Sequence, residues 1–155
     1  MKQKIKVHIA DDHKILIEGV VALLNTDDNI EIEGFSLTGK QVVDWSKKNK
    51  ADVLILDINM PEMDGFEVCR RIKLHATLQS TPVIFVSALA SAEERLQGYE
   101  CGAEDYITKP FRGDDIVATV AKVLELRQQT KVIEQQSKDA ISTAFQAMTN
   151  SSELG

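Results

Sequence analysis

Short apolar segments alternate with helix-period segments through the first 126 residues, and that rhythm leaves few architectures open. The β-like segments are 5–10, 30–35, 53–56, 83–86 and 106–108. Between them lie helix-period segments, marked by Ile15, Val20, Leu23 and Leu24, then Val42, Val43 and Trp45, then Phe66, Val68, Arg70 and Ile72, then Leu96 and Tyr99. A last helix starts near Gly113 and holds Ile116, Val117, Val120, Val123 and Leu124 on one face. The run Val53-Leu54-Ile55-Leu56 is apolar on both sides of its pleat, as a strand must be when helices cover both faces. The chain is therefore expected to be an α/β fold, a five-stranded parallel sheet, doubly wound, with function at the carboxyl ends of the strands.

Composition narrows the function classes. A chain of 155 residues holds one ordinary domain with some surplus. A net charge of −6 is a poor match for DNA or an acidic membrane, so direct nucleic-acid or membrane binding is not expected. Cys69 and Cys101 have neither CxxC spacing nor a histidine cluster beside them, which points to reduced thiols in the cytoplasm. The opening Met1-Lys2-Gln3-Lys4 leads straight into an alternating apolar segment with no signal-peptide pattern, and no run is long enough to span a bilayer, so a soluble, unexported protein is expected.

Each strand end but the second carries a polar group directly after an apolar run: Asp11 and Asp12, then Asp57, Ser87 and Lys109. A sheet has no structural use for three carboxylates converging at one edge. Two unit charges about 4 Å apart repel by roughly 4 kcal/mol at an effective dielectric near 20, so the cluster calls for a cation. Carboxylates with a carbonyl and waters describe a Mg²⁺ site, and no EF-hand spacing suggests calcium. A carboxylate beside Mg²⁺ can attack phosphorus and become an aspartyl phosphate; Asp57, alone at the end of the central strand, is the candidate nucleophile. Lys109 and the Ser87 hydroxyl would then bind phosphoryl oxygens.

The ordered set Asp11-Asp12, Asp57, Ser87 and Lys109-Pro110 resembles the signature of bacterial two-component response-regulator receiver domains over residues 4–126. Three further segments carry the resemblance: Asp57-Ile58-Asn59-Met60-Pro61-Glu62-Met63-Asp64-Gly65, Gly102-Ala103-Glu104-Asp105-Tyr106, and Lys109-Pro110-Phe111. The resemblance implies a flavodoxin-like strand order 2-1-3-4-5, direct metal ligation by Asp12 and Asp57, ligation by Asp11 directly or through water, and a backbone carbonyl ligand from Asn59. It implies a cis Lys109-Pro110 bond, and a switch in which Ser87 moves to the phosphoryl group while Tyr106 fills the space left behind, its ring buried and its hydroxyl wet. It also implies a sensor histidine kinase or phosphotransfer protein as donor, and an output region downstream. Leu89 and Asn59 are expected to tune phosphate lifetime, and small Ala88 to leave the phosphate approachable.

Single residues have blander readings. One Asp at a strand end is commonly a helix cap, a lone Lys109 a surface lysine, a lone Ser87 a turn residue. Five in order are not. Tyr106 could be plain packing. His8, His13 and His75 share no ligand spacing, so structural or solvent roles are expected of them, His13 in the first turn of helix one. Two other functions are weighed. A phosphatase acting on external substrates would need a general acid two places after the nucleophile, where Asn59 stands, and a receiver that never accepts phosphate would have lost part of this set.

Residues 127–155 are rich in helix formers, and Gly155 is their sole Gly or Pro, so helix five is expected to continue as an extension beyond a 1–126 receiver. From Gly113 to Met148 such a helix is roughly 50 Å long, past the roughly 30 Å breadth of a small domain. Ile133, Ile141, Phe145 and Met148 fall near one stripe, which a homodimer or a downstream output domain would bury. The ending Ser151-Ser152-Glu153-Leu154-Gly155 suggests a new helix cap, and hence a piece of a longer regulator.

Overall fold

A computed structural model describes residues 4–88 and 91–153. The expectations that rest on Met1 to Gln3, Leu89, Leu154 and Gly155 lie outside the described residues. The element order is β1 (Ile5–Ala10), α1 (Lys14–Leu24), β2 (Ile30–Ser36), α2 (Gly39–Lys48), β3 (Val53–Asp57), α3 (Gly65–Leu74), β4 (Val83–Ser87), α4 (Ala92–Glu100), β5 (Asp105–Thr108) and α5 (Gly113–Glu153). All four strand pairings are parallel, in the order β2-β1-β3-β4-β5, the flavodoxin-like arrangement. The chain divides into two units, Met1–Val123 and Leu124–Gly155.

Local chemistry sets the helix starts. Thr38 accepts from the Gln41 amide at the start of α2, Asp64 from Glu67 at α3, and Ser91 from Glu94 at α4. Glu67 in turn pairs with Arg70 and Arg71 one turn along, which keeps the first turn of α3 acidic and its last turn basic. β3 and β4 are buried at every residue, so the centre of the sheet has no freedom of register: Ile55 sits against Ile84 and Leu56 against Phe85.

The apolar period located the helices but misjudged some of their faces. In α1 the buried residues are Ile17, Val20 and Leu24, whereas Ile15 is 82% exposed. In α4 Leu96 and Tyr99 both face solvent, and the buried residue is Gly98, whose missing side chain lets the helix approach Phe85. α4 is thus bound to the sheet with little apolar contact of its own. In the second unit every described side chain from Gln128 to Ser151 is exposed, including Ile133, Ile141, Phe145 and Met148. No helix of the described residues is long and apolar enough to cross a membrane.

β2 carries a bulge that the sequence did not announce. The register slips between Val7 and Ile9, and Gly34 takes a positive φ of 78° opposite the break. The fully buried His8 ring fills the gap, stacked on Trp45 with centroids 3.8 Å apart. A carbonyl only accepts, so His8 Nδ1 donates to Glu33 O at 2.8 Å, and Nε2 of the neutral ring accepts from Ser36 Oγ at 2.7 Å. Burial holds the imidazole below its ordinary value of 6.5, against the opposing pull of the Glu33 carbonyl. The unfolded chain therefore takes up a proton at a pH where the folded chain does not. The stability contributed by neutral His8 is complete above 6.5 and is lost as pH falls from there through the folded value. Urea midpoints of the parent and His8→Gln should converge as pH falls from 7.5 to 5.5; parallel curves would contradict a neutral buried ring.

Candidate functional site

The carboxyl ends of β1, β3, β4 and β5 meet at one edge of the sheet, and all five candidate polar residues lie there. Asp11 and Asp57 are buried, at 6% and 5% exposure, and Ser87 is fully buried. Asp11 is fixed from both sides: its amide donates to Ser36 O at 3.1 Å, and its Oδ1 accepts from the His13 amide at 2.9 Å. Lys109 follows β5; its amide donates to Ser87 O at 2.8 Å, and the next bond, to Pro110, is cis as expected. The lysine Nζ stands 3.2 Å from Asp11 Oδ2 and 3.5 Å from Asp57 Oδ1.

Potential ligand atoms of Asp11, Asp12, His13 and Asp57 all lie within 4.8 Å of one another. That spacing suits one small cation. Three carboxylates face one lysine here, so the charge balance is negative. Its effect is visible at Asp57, whose carboxyl is raised from the ordinary 3.8 to about 6, first by burial and then by Asp11, with Lys109 opposing. An oxygen-rich, anionic, partly open set of this kind fits a hard divalent cation better than a soft one. His13 lies beside these acids. Its ring is exposed, with Nδ1 3.0 Å from Asp12 Oδ1 and 3.2 Å from Asp11 Oδ1, and it caps α1 without a side-chain capping bond. Asn59 is exposed in the loop after β3. Beside the acids, a cavity of about 490 Å³ is walled by Ile15, Leu16 and Val20 of α1 and by Pro110 and Phe111.

The switch candidates form a separate cluster. Ser87 Oγ donates to Glu94 Oε1 at 3.0 Å. Tyr106 is buried, and its hydroxyl lies against Ser87 and Glu94. Burial pushes that phenol up to about 12, helped by Glu94 and opposed by Ser87. Arg95 lies 5.6 Å from the centre of the Tyr106 ring and donates to Thr108 Oγ1 at 3.2 Å. Glu94 was not legible in the sequence. The spacing Ser91-x-x-Glu94 reads as a capping box, which would send the carboxylate back to the Ser91 amide, but it reaches Ser87 instead.

Comparison with known proteins agrees with this geometry. ArlR, a response regulator of Staphylococcus haemolyticus, is 31% identical over 129 residues, covering 83% of this chain and 57% of ArlR. The transcriptional regulatory protein CreB of Escherichia coli is 35% identical over 123 residues, covering 79% of this chain and 52% of CreB. The chain thus spans about half the length of these relatives. Among solved structures, the BeF3-activated receiver domain of DrrB superposes with a TM-score of 0.69 at 33% identity, covering 79% of this chain and 99% of that domain. Residues 7–121 match the family model of the response regulator receiver domain, and with its acids, lysine and serine hydroxyl at the strand ends where that fold binds its ligands, the chain belongs to that family.

Proposed function

We propose that this receiver accepts a phosphoryl group on Asp57 from a sensor histidine kinase or phosphotransfer protein, with Mg²⁺ held by Asp11, Asp12, Asp57 and the Asn59 carbonyl. The observation that carries the reading is the convergence of Lys109 Nζ, 3.2 and 3.5 Å from Asp11 and Asp57, on an acidic group gathered within 4.8 Å. When bound, the cation supplies positive charge to the phosphoryl oxygens during transfer. An Asp57 carboxylate oxygen attacks phosphorus, and the donor's leaving group departs with its bonding pair. Lys109, now near Asp57, is placed to take a phosphoryl oxygen as the carboxylate charge moves outward. The apolar wall of Ile15, Leu16 and Phe111 beside the acids offers the donor protein a surface to lie against.

Ser87 and Tyr106 form the switch in this reading, and turnover is confined to the chain's own aspartyl phosphate, since Asn59 offers no general acid for external substrates. Residues 127–155 carry the state onward, to a downstream output domain or across a homodimer, through the exposed stripe of Ile133, Ile141, Phe145 and Met148. The same reading places the chain in the cytoplasm, where Cys69 and Cys101, free and buried, stay reduced.

Acetyl phosphate with Mg²⁺, followed by intact mass, tests the reading. One labile phosphoryl adduct is expected, absent when the cation is chelated. A chain that stays unmodified, or one that gains phosphate equally well in chelator, would contradict it.

A further inference from the structure

We infer that Glu94 is a positioning residue for Ser87: a carboxylate latch that holds the switch hydroxyl away from the phosphoryl site and ties α4 to the sheet until Asp57 is phosphorylated. The inference rests on the receiver reading above and adds a residue to it.

The geometry begins with a single proton. Ser87 is fully buried, and its hydroxyl can donate to one acceptor at a time. That acceptor is Glu94 Oε1, at 3.0 Å. Glu94 Oε2 is buried and has no hydrogen-bond partner among the described residues, so the carboxylate is only half satisfied where it sits. Its tolerance there depends on the bond to Ser87 and on the Tyr106 phenol beside it.

α4 has little else to hold it. It buries Gly98 alone, with Leu96 59% and Tyr99 49% exposed. Among the described residues it is also tied by polar and cation–π contacts, Arg95 to Thr108 Oγ1 and over the Tyr106 ring. The Ser87 hydroxyl is therefore one of few ties between α4 and the sheet.

A phosphoryl group on Asp57 brings a second anion to the same edge. Asp57 pairs with Val86 across β3 and β4, so Ser87 is the next residue along the neighbouring strand. Two anions then compete for one O–H. If Ser87 turns to the phosphoryl group, half-buried Glu94 loses its serine donor and keeps only the Tyr106 phenol beside an enclosed, unpartnered Oε2, which favours opening of the first turn of α4 to hydrate it. Glu94 thus opposes activation in the resting state and transmits it once Ser87 leaves.

Calorimetric titration of the full 155-residue chain with beryllofluoride in saturating Mg²⁺ tests this. Glu94→Gln keeps the shape and an acceptor oxygen but removes the charge; because a charge-assisted bond is roughly twice as strong as a neutral one, it is expected to tighten binding about fivefold. Glu94→Ala should move in the same direction, which protects the test against a local misfit of the glutamine. In the Ser87→Ala background neither substitution should change the affinity. In the parent, beryllofluoride should speed hydrogen exchange at the amides of Glu94 and Arg95. Unchanged or weaker binding by both Glu94 variants, or an equal gain in the Ser87→Ala background, overturns the latch while leaving the receiver reading intact. A parent that takes up no beryllofluoride overturns that reading, and the latch with it.

Discussion

Asp57→Asn is expected to lose the phosphoryl adduct entirely and, in cation-free buffer at pH 8, to unfold at a higher temperature than the parent. Both effects come from one oxygen. The nucleophile in the proposed reaction is an ionised carboxylate, and an amide has no comparable lone pair to offer phosphorus. The carboxylate is also buried at 5% exposure beside Asp11, which raises it from 3.8 to about 6. A folded-state value above the unfolded one means that the fold binds this proton more tightly than the open chain does. At pH 8, where both states are ionised, the charge costs the fold on the order of 2–3 kcal/mol at 1.36 kcal/mol per pH unit. The neutral amide escapes that cost, for a gain of roughly 5–10 °C in a chain of this size. The advantage should shrink as pH falls from about 6 towards 3.8, because protonation then relieves the parent. It should shrink too when Mg²⁺ is added, since the cation relieves the same repulsion in the parent. Calorimetric melts at pH 8 and pH 4.5, with and without Mg²⁺, test the stability part. An Asn variant no more stable than the parent at pH 8 would mean that the acidic cluster is not strained.

The acidic edge was legible because its signal is local. An apolar strand that ends in Asp57 or Ser87 reads the same in sequence as in space, since chain direction alone delivers every strand end of a parallel sheet to one side. Glu94 was hidden for the opposite reason. Acidic residues in a first helical turn are expected for the macrodipole and for capping, so nothing in Ser91-Ala92-Glu93-Glu94 marks one of them as turned towards β4. The exposed Ile15, Leu96 and Tyr99 show the limit of the apolar period, which announces a helix without saying which of its neighbours is buried. His8 could not be read until its partner strand was known. The bulge at Gly34 exists only as a relation between β1 and β2, and the same histidine on an unbulged strand would have no carbonyl at Glu33 to meet.

Gly65→Ala should be among the most damaging single-methyl changes available to this chain, although Gly65 contributes no side chain to the site. The residue opens α3 directly after the Asp64 cap, and its amide donates to Ile58 O at 2.8 Å, which draws the helix start against the end of β3. A Cβ placed there would lie 2.6 Å from the Asp57 carbonyl oxygen and 2.9 Å from Ile58 Cα. Those atoms are backbone and cannot rotate aside as a side chain would. Relief has to come from a shift of α3 away from the strand or of the Asp57 peptide itself, and overpacking of this kind destabilises by about 1–3 kcal/mol. A shift of the Asp57 peptide also moves the carboxylate relative to Lys109 Nζ, now 3.5 Å away, so the variant should accept phosphate from acetyl phosphate more slowly even where it is fully folded. Gly19→Ala is the matched control. It lies within α1 with nothing within 4 Å of the added methyl, and an interior helical glycine replaced by alanine gains roughly 0.8–1 kcal/mol. Urea midpoints that move in opposite directions for the two variants, with phosphorylation slowed only in Gly65→Ala, would place the constraint at the junction of β3 and α3. Equal tolerance of both methyl groups would mean that this junction is not what holds Asp57 in position.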